Sequence, residues 1–292
     1  MHQPIVEVPG AHWSGRPTEA KLTRALESGG VLYFPSMAFT MSPAEQSLLR
    51  PDMRDPKARN ISQPPQGQVK GALGSPDELA LLDAMMRRYR HQAVQLVQDL
   101  FPRYSAYLRM EPTSFRPTEV ASRKQSWRAD DKRLHVDAFP SRPNRGERIL
   151  RVFSNVNPEQ PRVWRVGEPF EDMVQKFWPQ LPPYSPWKAR LLRSMRITKS
   201  LRSEYDHMML QLHDKMKRDM VYQKEAPKTV VAFAPGSTWV CFSDQTLHAV
   251  DQGQFMMEQT FFIPPQHQYD PSQSPLGILS RMAGRTLEGA RQ

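Results

Sequence analysis

The sequence predicts an α+β fold in which a jelly-roll or sandwich core of short strands is backed by helices. Three observations carry that prediction. After Pro112 the chain reads as short apolar runs punctuated by turn residues, the texture of many-stranded β folds. Proline is abundant at 28 residues and glycine modest at 14, which suits short irregular connections better than a helical bundle. The N-terminal third carries a helix with a clear start signal.

Taken in order, Gly29-Gly30-Val31-Leu32-Tyr33-Phe34-Pro35 reads as a turn into a short buried strand. Leu48 to Gly74 is polar and rich in Pro, Gly and Gln, so loops are expected. Ser75-Pro76-Asp77-Glu78 is a capping box with proline at the first helical position. Leu79, Leu82, Met86, Tyr89, Ala93, Leu96 and Leu100 follow at helical spacing, with Arg87, Arg88 and Arg90 on the other face. That stripe reads as core. The expected strands are Thr113–Arg116, Leu134–Phe139, Arg148–Asn155, Arg162–Val166, Thr229–Ala234, Ser237–Ser243, Leu247–Val250 and Phe255–Ile263. A second long helix, about Leu201–Tyr222, buries Tyr205, Met208, Met209, Leu212 and Met216 and turns Lys215, Lys217 and Arg218 to solvent. No domain boundary stands out. The chain reads as one domain over 1–292, with a helical and loop part over 1–111, a core over 112–266 and a polar tail over 273–292.

Composition narrows the function. No run approaches the length of a membrane span, and the first residues lack a secretory profile. The one cysteine, Cys241, lies in an apolar run. It rules out an internal disulfide and a multi-cysteine zinc site, and suits a reducing cytoplasm as a small core residue. The net charge of +10 implies an acidic partner: nucleic acid, an anionic membrane surface or an anionic substrate. No zinc module, RNP-like strand or recognition helix supports nucleic acid.

The chemistry centres on His135-Val136-Asp137 and on His248, far downstream. In an extended strand the side chains at i and i+2 share a face. His135 and Asp137 therefore point together, and one more imidazole completes the facial triad of non-haem Fe(II) oxygenases. His248 follows a Pro235-Gly236 turn and a strand, the place of the distal histidine in double-stranded β-helix (cupin-like) oxygenases. About 110 residues separate it from Asp137. His207 and His213 sit six apart on the second helix, off one another's face, and the remaining histidines read as surface residues.

Where the co-substrate is 2-oxoglutarate, its distal carboxylate needs a basic partner. Many such enzymes use an arginine roughly ten residues past the distal histidine, but no Lys or Arg occurs here between His248 and Arg281. The strand Arg148–Asn155 offers the replacement. Arg151, fourteen residues past Asp137 and among apolar neighbours, is the expected clamp, because an unpaired guanidinium there would be costly. Arg148 is the fallback and borders a turn. Asn155 and Trp127 are candidate pocket-lining residues, and Arg116, Arg162 and Arg165 are candidates for binding an anionic substrate or the co-substrate.

Leu134-His135-Val136-Asp137-Ala138-Phe139-Pro140-Ser141-Arg142-Pro143 and Gly146-Glu147-Arg148-Ile149-Leu150-Arg151-Val152-Phe153-Ser154-Asn155-Val156-Asn157-Pro158, with Ser203–Asp214 and the His248 segment, resemble the hydroxylases of 3-deoxy-D-manno-oct-2-ulosonic acid (Kdo). The resemblance runs over most of the chain. It implies an Fe(II)- and 2-oxoglutarate-dependent dioxygenase that hydroxylates C3 of Kdo in Kdo-lipid A to give Ko, with His135, Asp137 and His248 on iron and Arg151 on the co-substrate. It also implies a cytoplasmic enzyme peripheral on the inner face of the inner membrane. The basic stretch Lys188, Arg190, Arg193, Arg196, Lys199 and Arg202 behind Trp187 then faces either membrane or solvent. The competing readings are a 2-oxoglutarate oxygenase acting on another metabolite or a peptide, a nucleic-acid-binding protein without catalysis, and a metal-free β-barrel used for binding.

Overall fold

The computed structural model describes residues 3–15, 17–120 and 126–287. In chain order these form β1 (Ile5–Glu7), α1 (Ala20–Glu27), β2 (Val31–Phe34), α2 (Pro43–Gln46), β3 (Ile61–Gln63), α3 (Pro76–Leu100), β4 (Arg109–Met110), β5 (Thr113–Arg116), β6 (Arg148–Asn155), β7 (Arg162–Gly167), α4 (Phe170–Phe177), α5 (Pro186–Ser194), α6 (Glu204–Arg218), α7 (Met220–Glu225), β8 (Lys228–Phe233), β9 (Thr238–Phe242), β10 (His248–Gln252), β11 (Met256–Ile263) and α8 (Pro275–Ala283). Among the described residues no helix is long and apolar enough to cross a membrane.

The strands make two sheets. The larger runs β1-β2-β9-β6-β11-β5-β3, with β4 beside β11, and the smaller runs β10-β7-β8. Strand alternation sorts the side chains of the large sheet. On β6 and β11, Leu150, Val152, Met257 and Phe261 point to one face, where they pack with Leu26, Leu82, Tyr89 and Leu96 of α1 and α3. Phe153 and Met256 point to the other, where Trp164, Val166, Phe233 and Val250 of the small sheet meet them. Helices thus back one face of the large sheet and the small sheet faces the other, the α+β, jelly-roll arrangement expected.

The capping box of α3 is present, with Ser75 Oγ accepting from Glu78 N and Glu78 accepting from Ser75 N, an arrangement that contributes about 1 kcal/mol. Several expectations need correction. Arg90 is buried rather than on the outer face, with Nε donating to Thr113 Oγ1 at 2.9 Å and Nη1 to the Pro65 carbonyl at 2.7 Å. The loop before α3 contains β3, which pairs with β5. The second long helix is two, because Asp219 is extended (ψ 99°) and its carboxylate caps α7 through Tyr222 N. The expected polar tail holds α8, whose Ile278 and Leu279, with Leu287, join a core built on α4, α6 and α7; residues 288–292 lie outside the described residues.

Candidate metal centre and co-substrate cavity

Leu134–Phe139 is extended but is not a ladder strand. Its one bridge joins His135 to His248, with His135 N donating to the His248 carbonyl at 3.0 Å and the reverse bond at 2.9 Å. Leu134 N donates to Gln223 Oε1 at 2.7 Å, and Asp137 N to the Ser243 carbonyl at 2.8 Å. A side chain and a turn thus satisfy the backbone groups that a ladder would otherwise take. The extended geometry still puts residues i and i+2 on one face. One ligand-type atom from each of His135, Asp137 and His248 falls within 4.8 Å of the others.

Each imidazole is oriented by its own chain. His135 Nδ1 lies 2.8 Å from the Arg133 carbonyl and His248 Nδ1 2.8 Å from the Thr246 carbonyl. A carbonyl only accepts, so each Nδ1 carries the proton and each Nε2 keeps its lone pair for a metal. Burial holds both imidazoles below their ordinary value, well below for His135, so they are neutral. Trp164 stacks on the His248 ring, with centroids 5.1 Å apart. Burial opposes ionisation of Asp137, but the neighbouring Arg151 guanidinium outweighs it and holds the carboxyl well below the usual range. Two neutral nitrogens and a carboxylate are a donor set suited to Fe(II).

Arg151 lies on the face of β6 turned to the small sheet. Its Nη2 is 2.9 Å from Asp137 Oδ2 and its Nη1 3.1 Å from Glu258 Oε1. Arg116 Nη2 meets the other oxygen of Glu258 at 2.5 Å. Glu258 is buried, and the two guanidiniums override that burial to keep it ionised. The triad, Arg116, Arg151, Arg162, Trp164 and Asn60 line one cavity of about 170 Å³. Arg116 Nε, Arg151 Nε and Trp164 Nε1 are buried donors without a hydrogen-bond partner, and buried donors carry that cost unless an acceptor joins them. A dicarboxylate beside the triad fits.

The other candidates sit elsewhere. Arg148 and Arg151 are three apart on one strand and so face opposite ways. Arg148 is fully buried, not exposed at a turn, and binds Asp244 Oδ2 at 2.8 Å and Gln245 Oε1 at 2.6 Å over the Phe242 ring. Arg165 stands in the same relation to Arg162; it faces away and pairs with Asp251 at 2.8 Å. Asn155 organises a turn, its Nδ2 donating to the Gln160 and Phe233 carbonyls and its Oδ1 accepting from Asn157 N. Trp127 has the guanidiniums of Arg128 and Arg218 over its ring and lies beside a separate hollow near Phe177. None of these four lines the triad cavity.

Sequence reasoning missed several residues at the site. His213 of α6 stands edge-on to His135 with centroids 5.9 Å apart and bonds Asp214 through Nδ1 at 3.0 Å. With the buried Lys217 it lines a second cavity of about 460 Å³ next to His135 and Asp137. Burial pushes the Lys217 ammonium down, and its Nζ donates to the Arg128 carbonyl at 2.8 Å. A third, of about 730 Å³, runs from Arg151 and Glu258 to Lys199 and the Pro140–Asn144 segment. Arg59 and Phe139 border all three. Arg116 and Arg162, both expected as anion-binding candidates, do line the triad cavity, whereas Trp164 was missed although alternation within its strand was an available signal.

A jelly-roll core that gathers two imidazoles, a carboxylate and a set of guanidiniums about one cavity defines a non-haem iron, 2-oxoglutarate-dependent dioxygenase. Residues 12–286 match the family described as 3-deoxy-D-manno-oct-2-ulosonic acid (Kdo) hydroxylase. The chain belongs to that family. No curated protein sequence matches it. Among solved structures it resembles the Kdo hydroxylase KdoO, a non-haem Fe(II) α-ketoglutarate-dependent dioxygenase, at 44% identity. In the complex with α-ketoglutarate and Fe(III) the TM-score is 0.93, covering 99% of this chain and 100% of that one. In the cobalt(II) complex it is 0.95, covering 99% of each. The complex with succinate and Fe(III) matches with a TM-score of 0.93, again over 99% of each chain.

Proposed function

We propose that this enzyme hydroxylates C3 of Kdo in Kdo-lipid A, giving Ko, on the cytoplasmic face of the inner membrane. The observation that carries the reading is the convergence of His135, Asp137 and His248 with Arg116, Arg151 and Arg162 on one cavity. The first three would hold Fe(II). The arginines, with the Trp164 N–H, would hold the carboxylates of 2-oxoglutarate, Arg151 foremost. With O2 the bound pair supplies the oxidising equivalents: one oxygen atom enters the sugar as hydroxyl, and the other enters succinate as CO2 is lost.

The chain's own residues do the positioning. The Nδ1 protons fixed on backbone carbonyls keep both Nε2 atoms facing the metal position. Glu258 bridges Arg116 and Arg151, one oxygen to each, while the Nε of each guanidinium keeps an unfilled donor. The larger cavities bordered by Arg59, Lys199 and Lys217 give an anionic sugar with its lipid A phosphates a basic approach. Arg148, Asn155, Arg165 and Trp127 take no part.

The test is anaerobic reconstitution with Fe(II) and 2-oxoglutarate, followed by O2 and Kdo-lipid A. Succinate and hydroxylated glycolipid are expected in equal amounts. Succinate without hydroxylated lipid would remove the substrate assignment in favour of another metabolite or a peptide. Unchanged 2-oxoglutarate affinity in Arg151→Ala would remove the clamp.

A further inference from the structure

The segment over 186–197 presents large apolar side chains to solvent beside unopposed positive charge. Trp187 is 67% exposed, Met195 61% and Ile197 51%, and Leu191 is exposed as well. Trp187 and Leu191 are four apart on α5 and lie on one face, while Ala189 is buried against the body of the protein. Lys188, Arg190, Arg193 and Arg196 are exposed in the same stretch, and among the described residues none forms an ion pair. No acidic residue occurs from Met173 to Ser203. A solvated charged helix has no use for an exposed tryptophan, methionine and isoleucine. A face for a second copy of this basic chain would bring like charges together. Amphipathic side chains with Lys and Arg around them suit a bilayer interface, where tryptophan seats at headgroup depth and the basic stems reach anionic headgroups.

The segment is tied to the active-site mouth. Lys199 N donates to the Ser141 carbonyl at 3.0 Å and Arg202 Nη2 to the Pro140 carbonyl at 2.8 Å. Ser141 and Lys199 both border the cavity that reaches Arg151.

We propose that α5 and the turn after it form a membrane-docking surface for an anionic bilayer, setting the cavity mouth against the lipid surface. The placement rests on the glycolipid reading above, but binding to lipid is read separately from catalysis. The test is flotation of the full-length protein with vesicles of phosphatidylcholine, alone or mixed with phosphatidylglycerol. Wild type should float only with the anionic vesicles, and high salt should release it. The double variants Trp187→Ser/Leu191→Ser and Lys188→Glu/Arg193→Glu should each bind about tenfold more weakly or worse. Both should keep wild-type turnover on detergent-dispersed Kdo-lipid A and lose it on vesicle-embedded substrate. Flotation with neither vesicle, equal flotation with both, or unchanged binding by the variants overturns the docking surface. So does a variant that shifts the protein from dimer to monomer, because the face would then join copies of the chain. Flotation as expected with no hydroxylation even in detergent would overturn the glycolipid reading and leave the docking surface standing.

Discussion

Arg151 Nη2 and Asp137 Oδ2 form a largely buried ion pair at 2.9 Å, so the expected co-substrate clamp and the expected metal-ligand carboxylate share one electrostatic unit. Each supports the charge of the other. Asp137 and Glu258 together raise the Arg151 guanidinium above its ordinary value against the opposing effect of burial.

Removing Arg151 therefore acts twice. Arg151→Ala should raise the KM for 2-oxoglutarate at least about tenfold, and it should destabilise the protein by roughly 3 kcal/mol by leaving the largely buried Asp137 carboxylate without its guanidinium. Arg151→Lys should recover little of either, since one ammonium cannot serve two carboxylates and a ligand in fixed directions. Steady-state kinetics and denaturant melts check both halves.

His135→Ala or Asp137→Ala should abolish stoichiometric metal binding and reduce turnover by at least about a hundredfold, given that mutating even outer partners of metal ligands costs up to that much. Cobalt(II) titration by visible absorption, with circular dichroism to confirm folding, reads this directly. Retained stoichiometric binding by either variant would sink the ligand assignment.

His213 borders the second cavity and not the arginine-lined one. His213→Ala should lower turnover on Kdo-lipid A severalfold while leaving the KM for 2-oxoglutarate unchanged. A raised co-substrate KM would place it with the clamp instead.

The legibility of this site in the sequence divides along strand parity. The i, i+2 spacing of His135 and Asp137 was enough to put them together, and the limits of β5 and β6 were readable to the residue. The misplacements were largely questions of facing. Arg148 and Arg165 each lie three positions from an arginine that does line the cavity, and an odd spacing in a strand turns a side chain away. His213 left no such trace, because its place depends on how α6 packs beside the extended Leu134–Phe139 segment. The start of α8 was masked by its length: Leu276, Ile278 and Leu279 are too few to show a period, although Ser274-Pro275 carries the start signal.

Gly253 supports Arg162 by lacking a side chain. Its φ is +130°, and a Cβ there would lie 2.7 Å from Arg162 Cγ. Gly253→Ala should cost about 1–3 kcal/mol and weaken 2-oxoglutarate binding as Arg162 is displaced. A thermal melt and the co-substrate KM should move together.

Glu258 gives the stability an acid limb. Its carboxyl titrates lower in the folded protein than in the unfolded chain, because Arg116 and Arg151 outweigh burial. The unfolded chain therefore takes up protons first as pH falls. The stabilisation is complete above the ordinary Glu value of about 4.3 and is lost as pH drops through the folded value. Glu258→Gln should melt lower than wild type at neutral pH, and the gap should close below about pH 4. A gap that widens on acidification would reverse the assignment.

The paired backbone bonds between His135 and His248 have a consequence for how the molecule assembles. The candidate metal position joins residues that β6 to β9 separate in the sequence, so it depends on long-range pairing and exists only once the intervening chain is in place. Metal that binds there favours only the finished molecule. Metal affinity at this position would therefore report on the packing of the whole intervening segment, and not on the three ligand-type residues alone.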